Sequence, residues 1–262
     1  MVALHGFQPL YAASGFIVGA LVGMTGIGGG ALMTPILILL FGIHPATAVG
    51  TDLLYAGATK IGGTLVHGLA HTIDWRIVGR LSMGSIPLTA LTLFVLSKTD
   101  FTGGGARVLI NIVLGFALLA TALVLIFRRR ILKLYAGVIG DLDPRQMWCA
   151  TVAIGATLGV LVSISSVGTG ALGTTALVML YPRHPIVRIV GSDIAHAVPL
   201  TLLAGFGHWL MGSVNVLLLG SLLVGSIPGI LLGSWAAARV PDAALRYVLA
   251  ATLLVAGAKL IF

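Results

Sequence analysis

The sequence predicts an all-α polytopic membrane protein. It consists of two inverted repeats of about five helical segments each, with glycine-rich broken or re-entrant helices meeting near the midplane. Three observations carry this expectation. The first is composition: the 262 residues are 58% hydrophobic and 8% charged, against about 25% charged in soluble domains. Such a surface fits lipid as its solvent. The second is an internal repeat. "IGGGALMTPILILLFGIHP" (27–45) aligns with "VGTGALGTTALVMLYPRHP" (167–185) at 9 identities in 19. After a one-residue insertion, 49–94 aligns with 190–235 at 13 in 46. A unit of about 140 residues is therefore duplicated. The third is the asymmetry of loop charge, which sets orientation.

The apolar segments are read in order. Segments 10–26 and 29–43 flank the cluster "GMTGIGGG" (23–30), five glycines in eight residues. The second segment is too short for the ~20 residues of a full span, so the cluster is the bend of a broken pair or re-entrant hairpin. Segments 46–69, 77–96 and 106–127 complete the first repeat, residues 1–127. A basic linker, 128–146, follows on the cytoplasmic side. The second repeat, 147–262, runs through 147–166, a second knot, the short 169–182, then 187–208, 214–236 and 243–261. Short, glycine-interrupted segments at matching places in two halves point to a transporter's binding site.

An odd number of segments per half inverts the second half. On the side of the termini the loops carry Lys98, Arg107 and Lys259. The other side carries eleven: Arg76, Arg80, Arg128, Arg129, Arg130, Lys133, Arg145, Arg183, Arg188, Arg239 and Arg246. Eleven against three places both termini outside. Four spans per half would give eight against six, which orients nothing. The N-terminus lacks a basic n-region and a cleavage site and reads as part of the mature chain. Cys149 is the only cysteine, so an intrachain disulfide is excluded.

The glycine clusters fit a dinucleotide pattern superficially: Gly26, Gly28 and Ala31 with Asp52, and Gly168, Gly170 and Gly173 with Asp193. Both matches sit in apolar segments with no βαβ unit, so nucleotide binding is rejected. The knots leave two readings, tight helix packing through small residues or an anion site. For the second, helix N-termini approach the midplane from opposite sides with free amides. Gly28, Gly29 and Gly30 in one knot and Ser166, Gly168, Thr169 and Gly170 in the other are the substrate-binding candidates, with Thr51 and Ser192 beside them.

Ionisable residues within spans are functional candidates because holding them there is costly. Asp52 and Asp193 are symmetry mates and read either as N-caps of their helices or as a charge network. Lys60 has Thr201 as its mate and is expected to offset Asp193 or the substrate charge. His196 follows Asp193 by one turn, and the pair could carry a proton. His67 and His208, near span ends, read as interfacial or structural, and His44 and His184 as structural turn residues. The chain contains no glutamate, so H-E-x-x-H is impossible. No zinc spacing, P-loop or soluble catalytic module is present, and no metal or cofactor is expected. Enzyme, sensor and nucleic-acid-binding classes are thereby disfavoured. Active transport would be secondary.

"GFIVGALVGMTGIGGGALMTPIL" (15–37) followed by "HPATAVGTD" (44–52), repeated in weaker form, resembles the TauE/SafE sulfite exporter family, within the toluene-sulfonate uptake permease group. The resemblance spans about 10–260. It implies a bacterial inner-membrane transporter of small sulfur-containing anions such as sulfite and sulfonates (sulfoacetate among them); export is the leading reading, with proton coupling expected from the Asp193–His196 pair. Uptake of the same anions is the alternative, and a passive channel a weaker one. The commoner family pattern reads "GTS" where this chain has "GTD" (50–52), so Asp52 and Asp193 mark a subgroup.

Overall fold

A computed structural model of the chain describes residues 9–25, 30–98, 104–135, 143–236 and 242–261. These form ten helices and, among the described residues, no strand. The helices are α1 (Pro9–Thr25), α2 (Gly30–Leu39), α3 (Pro45–Leu69), α4 (Trp75–Lys98), α5 (Gly104–Tyr135), α6 (Pro144–Ser165), α7 (Ala171–Leu180), α8 (Ile186–Leu210), α9 (Val216–Ala236) and α10 (Asp242–Ile261). Every apolar segment read from the sequence is one of them. Of the expected linker, the part up to Tyr135 continues α5 and the part from Pro144 belongs to α6, while 136–142 lie outside the described residues.

Five stretches are long and apolar enough to cross a membrane: Trp75–Lys98, Val108–Arg128, Pro144–Ser165, Ile186–Leu210 and Val216–Gly233. Helix α3 has 25 residues, but Asp52, Lys60, His67 and five glycines lower its hydropathy. Helices α2 and α7 have ten residues each, about 15 Å of helix, half of a ~30 Å hydrocarbon core. The solvent logic is that of lipid. Ile17, Leu65, Phe94, Phe116, Leu231 and Val255 point outward, while Asp52, Asp193, Lys60 and His196 are buried.

Local chemistry sets the helix ends. Asp143 caps α6, accepting from the Arg145 amide, while Gln146 accepts from the Asp143 amide. This is a capping box. At its other end α6 stops at Ser166, in the left-handed region with φ 60°. Gly168 and Gly170 follow with φ of 143° and 106°, values that glycine adopts without a Cβ penalty. The second knot is therefore a true break between α6 and α7. The first knot, including Gly28 and Gly29, lies outside the described residues, and Gly30 is the first residue of α2.

The most extensive packing pairs are α1 with α9, α4 with α6, α3 with α8 and α5 with α10. Exchanging each helix for the one five places away leaves this set unchanged. Glycines make two of these contacts possible. A Cβ on Gly15 would strike the Leu222 backbone and one on Gly19 the Ser226 backbone. In the other half, Gly155 lies on Leu81 and Gly159 on Ser85. Gly225 lies on Ala12, as Gly84 lies on Val152. The two interfaces match residue for residue in the repeat register. This is small-residue packing of the kind that joins helices in lipid.

Gly155→Val and Gly15→Val should each force a helix pair apart. Overpacking of this kind costs typically 1–3 kcal/mol, read as a lowered unfolding temperature in detergent. Gly79→Ala, with nothing within 4 Å of a new Cβ, should hold or slightly raise that temperature.

Candidate functional site

Helices α3 and α8 pack together at the centre of the molecule. Each carries its aspartate two turns from its start. Asp52 and Asp193 are 0% and 1% exposed. Neither caps its own helix. Instead each reaches the short helix of its own half. The Thr34 hydroxyl on α2 donates to Asp52 Oδ2. The Thr174 hydroxyl on α7 donates to Asp193 Oδ2 at 2.9 Å, and the Gly170 amide donates to the same oxygen at 2.8 Å. The capping expectation is corrected in this sense: Asp193 caps α7, not α8. The Gly170 amide accordingly faces a carboxylate of the protein itself. Gly173 has no side chain because Asp193 Oδ1 occupies that space. Asp52 Oδ1 and Asp193 Oδ1 are buried without a hydrogen-bond partner.

Lys60 is 8% exposed. Its Nζ donates to Thr169 Oγ1, in the middle of the second knot. Both aspartates act on it electrostatically, Asp193 the more strongly. Neither comes within 4.0 Å, and the one ion pair at that distance among the described residues is His184 with Asp74, at 3.7 Å. Lys60, Asp193 and Gly170 line a cavity of ≈ 560 Å³, together with Thr59, His67 and apolar residues from α1, α8 and α9. Lys60, Asp193, Thr59 and His67 are its polar side chains, and the rest of the lining is apolar or glycine, as small-molecule sites commonly are.

Other candidates have different employment. Thr51 Oγ1 accepts from the Asn215 amide at 3.1 Å, and its mate Ser192 accepts from the Asp74 amide at 2.8 Å. These two hydroxyls fasten the loops before α9 and α4. His196 turns away from Asp193: its Nε2 and Ser85 Oγ on α4 are 2.8 Å apart. Its mate Tyr55 lies against Ser226 on α9, the symmetric position. Ser166 is buried beside Asp52.

Sequence reasoning missed Thr34, Thr174, Ser85 and Ser226. The repeat alignment held the signal, since Thr34 with Thr174 and "GSIP" (84–87) with "GSIP" (225–228) are identical in both copies. A buried polar group needs a partner nearby, and those identical hydroxyls supply it: Thr34 and Thr174 to the aspartates, and Ser85 to His196, with Ser226 beside Tyr55.

An apolar bundle around a buried, charged cavity at a helix break defines a multi-pass membrane transporter. The chain belongs to the TauE/SafE sulfite exporter family: the family model, Sulfite exporter TauE/SafE, matches residues 11–260. It is 39% identical to the Probable membrane transporter protein YjnA of Bacillus subtilis (strain 168), over 94% of this chain and 97% of the relative. It is 28% identical to Probable membrane transporter protein YdhB of the same organism, over 78% of the chain and 80% of the relative. It is 26% identical to Probable membrane transporter protein MJ0441 of Methanocaldococcus jannaschii, over 79% and 74%. No solved structure matches.

Removing a donor from a buried charged group costs ~1–3 kcal/mol. Thr174→Val leaves Asp193 the Gly170 amide, and Thr34→Val takes from Asp52 the hydroxyl that meets its Oδ2 and leaves Ser166 beside it. Both variants should unfold at lower temperature in detergent than the wild type. Equal, unchanged temperatures would remove the anchoring role.

Proposed function

We propose that this protein is a secondary transporter that exports a small sulfur-containing anion, sulfite or a sulfonate such as sulfoacetate, across a bacterial inner membrane. The observation that carries the reading is Lys60. It is the one buried Lys or Arg among the described residues, it lines the cavity, and it is held against the second knot by Thr169. A charge so costly to keep in lipid fits a ligand of opposite sign. The family supplies the sulfur-anion class. The role is translocation without bond-making.

The two carboxylates oppose anion binding, since one lysine cannot balance both and a ligand. Asp193 shares the cavity with Lys60. A proton on Asp193 leaves Lys60 free to hold the anion, which couples transport to a proton at that position. Asp52, outside the cavity lining, keeps its anchoring role. Export also gains from a negative-inside potential, about 2.3 kcal/mol per charge per 100 mV. The halves insert in opposite senses with both termini periplasmic. Loop charge supports this, as does the antiparallel crossing of the repeat mates α3 and α8, with Gly50 against His208 and Gly63 against Ile194.

The test is purified protein in proteoliposomes and in a thermal-shift screen against sulfite, sulfate, thiosulfate and sulfoacetate. Sulfite or sulfoacetate should stabilise the wild type and move down an imposed gradient. Lys60→Met should weaken that stabilisation by roughly 10- to 100-fold in concentration, the equivalent of a ~1.5–3 kcal/mol charged hydrogen bond. Unaltered affinity in Lys60→Met would sink the reading. Asp193→Asn should bind the anion yet lose its response to a pH gradient; full pH dependence in that variant would exclude Asp193 as the proton site. A reporter fused after Phe262 should behave as periplasmic, and accumulation rather than efflux in intact cells would reverse the direction.

A further inference from the structure

The two halves match in sequence and in packing, but they differ in one place. The repeat register fixed by the glycine contacts pairs Gly15 with Gly155 and Gly19 with Gly159. One turn further it pairs Gly23 on α1 with Ser163 on α6. It likewise pairs His67 with His208. In the second half this set is shut: His208 Nε2–H donates to the Ser163 carbonyl at 2.8 Å, and His208 is 0% exposed. In the first half the same set is open. His67 and Gly23 both line the cavity, and the His67 ring pairs through Nδ1 with Thr72 Oγ1 in its own turn, at 2.8 Å.

The helices repeat the difference. Helix α6 packs along α8, while its counterpart pair, α1 and α3, meets far less. Helix α4 packs more closely on α8 than its counterpart α9 does on α3. The glycine-joined pair α4–α6 is therefore closed on α8, and the glycine-joined pair α1–α9 stands away from α3. The cavity is the gap that this leaves. Its counterpart in the second half, bordered by His208, Thr201 and Ala204, is filled, with all three residues at most 1% exposed.

We propose that the open cavity and its closed counterpart are two alternating vestibules of one anion path, with His67 and His208 as their gates. Each glycine-joined pair moves as a unit against the α3–α8 core. In the opposite state the His67 ring closes on the Gly23 carbonyl as His208 now closes on that of Ser163. The His208 bond breaks, and a second vestibule opens on the far side between α6, α4 and α8. The present structure is the state open beside His67, on the side of the Arg76 and Arg80 loop. The cargo rests on the reading of anion transport, whereas the gate positions rest on geometry alone.

The experiment measures thiol labelling in a Cys149→Ser background. Gly63→Cys reports the open vestibule, and Ala204→Cys, its repeat mate, the closed one. A membrane-impermeant maleimide should label Gly63→Cys from the cytoplasmic face and leave Ala204→Cys slow. Adding His208→Ala should raise Ala204→Cys labelling from the periplasmic face about tenfold and lower that of Gly63→Cys. His67→Ala should hold Gly63→Cys labelling high and stop transport. Unchanged rates in His208→Ala would overturn the proposal. So would a rise at both sites together, which is also what general loosening or misfolding would produce. Labelling needs no anion: reciprocal labelling in protein that moves no sulfur anion would refute the cargo and leave the gates standing.

Discussion

The fold depends on a buried carboxylate meeting the start of a half-length helix. In hydrocarbon every backbone polar group must find its partner inside the protein. A helix that begins at mid-depth exposes amides with none. Asp193 answers this at α7, taking the Gly170 amide and the Thr174 hydroxyl on one oxygen. Asp52 accepts from the Thr34 hydroxyl, one turn into α2. Without Asp193 the break before α7 would lose this anchor. The charge is therefore a structural necessity before it is anything else, and Lys60 is the group that keeps the region from being doubly negative.

A second constraint follows from the first. Central helices that carry polar groups cannot face lipid, so other helices must enclose them. Close enclosure in lipid relies on small residues. Gly15, Gly19, Gly225 and Gly229 bring α1 and α9 backbone to backbone, and Gly84, Gly155 and Gly159 do so for α4 and α6. Such interfaces tolerate little sliding, because each glycine is matched to one backbone position. Motion is left to the looser contacts between these pairs and the α3–α8 core.

Much of the fold was legible. Apolar periods and glycine punctuation located all ten helices, and the second knot is the break its glycines predict. The site was legible only in part. Asp52, Asp193 and Lys60 stood out because ionisable residues are rare in such segments. Their partners did not stand out, because a helix's own periodicity says which residues share a face but not which helix covers it. His196 was read with Asp193, one turn away, yet its ring goes to Ser85, 111 positions away in sequence. Thr51 and Ser192 were read toward substrate, whereas they hold the loops before α9 and α4. The donors Thr34 and Thr174 were visible only as identities between copies.

The departures from symmetry are the informative residues. A scaffold with two equivalent halves can work from either side, so whatever makes the site selective must break the equivalence. Lys60 faces Thr201 across the repeat, and His196 faces Tyr55. The first exchange sets an ammonium near Asp193 with a threonine in the matching place of the other half, while the second sends an imidazole to Ser85 in one half and a phenol to Ser226 in the other. The cationic point of the cavity thus lies off the pseudo-axis, against the second knot, where Thr169 fixes it. An anion held there sits next to the carboxylate that caps α7. Its arrival competes with that carboxylate for the same positive groups. On the proposed reading the helix start and the ligand would be coupled through Asp193: neutralising it would free Lys60 and loosen its hold on α7 together. Charge compensation and the break in the helix thereby become parts of one mechanism.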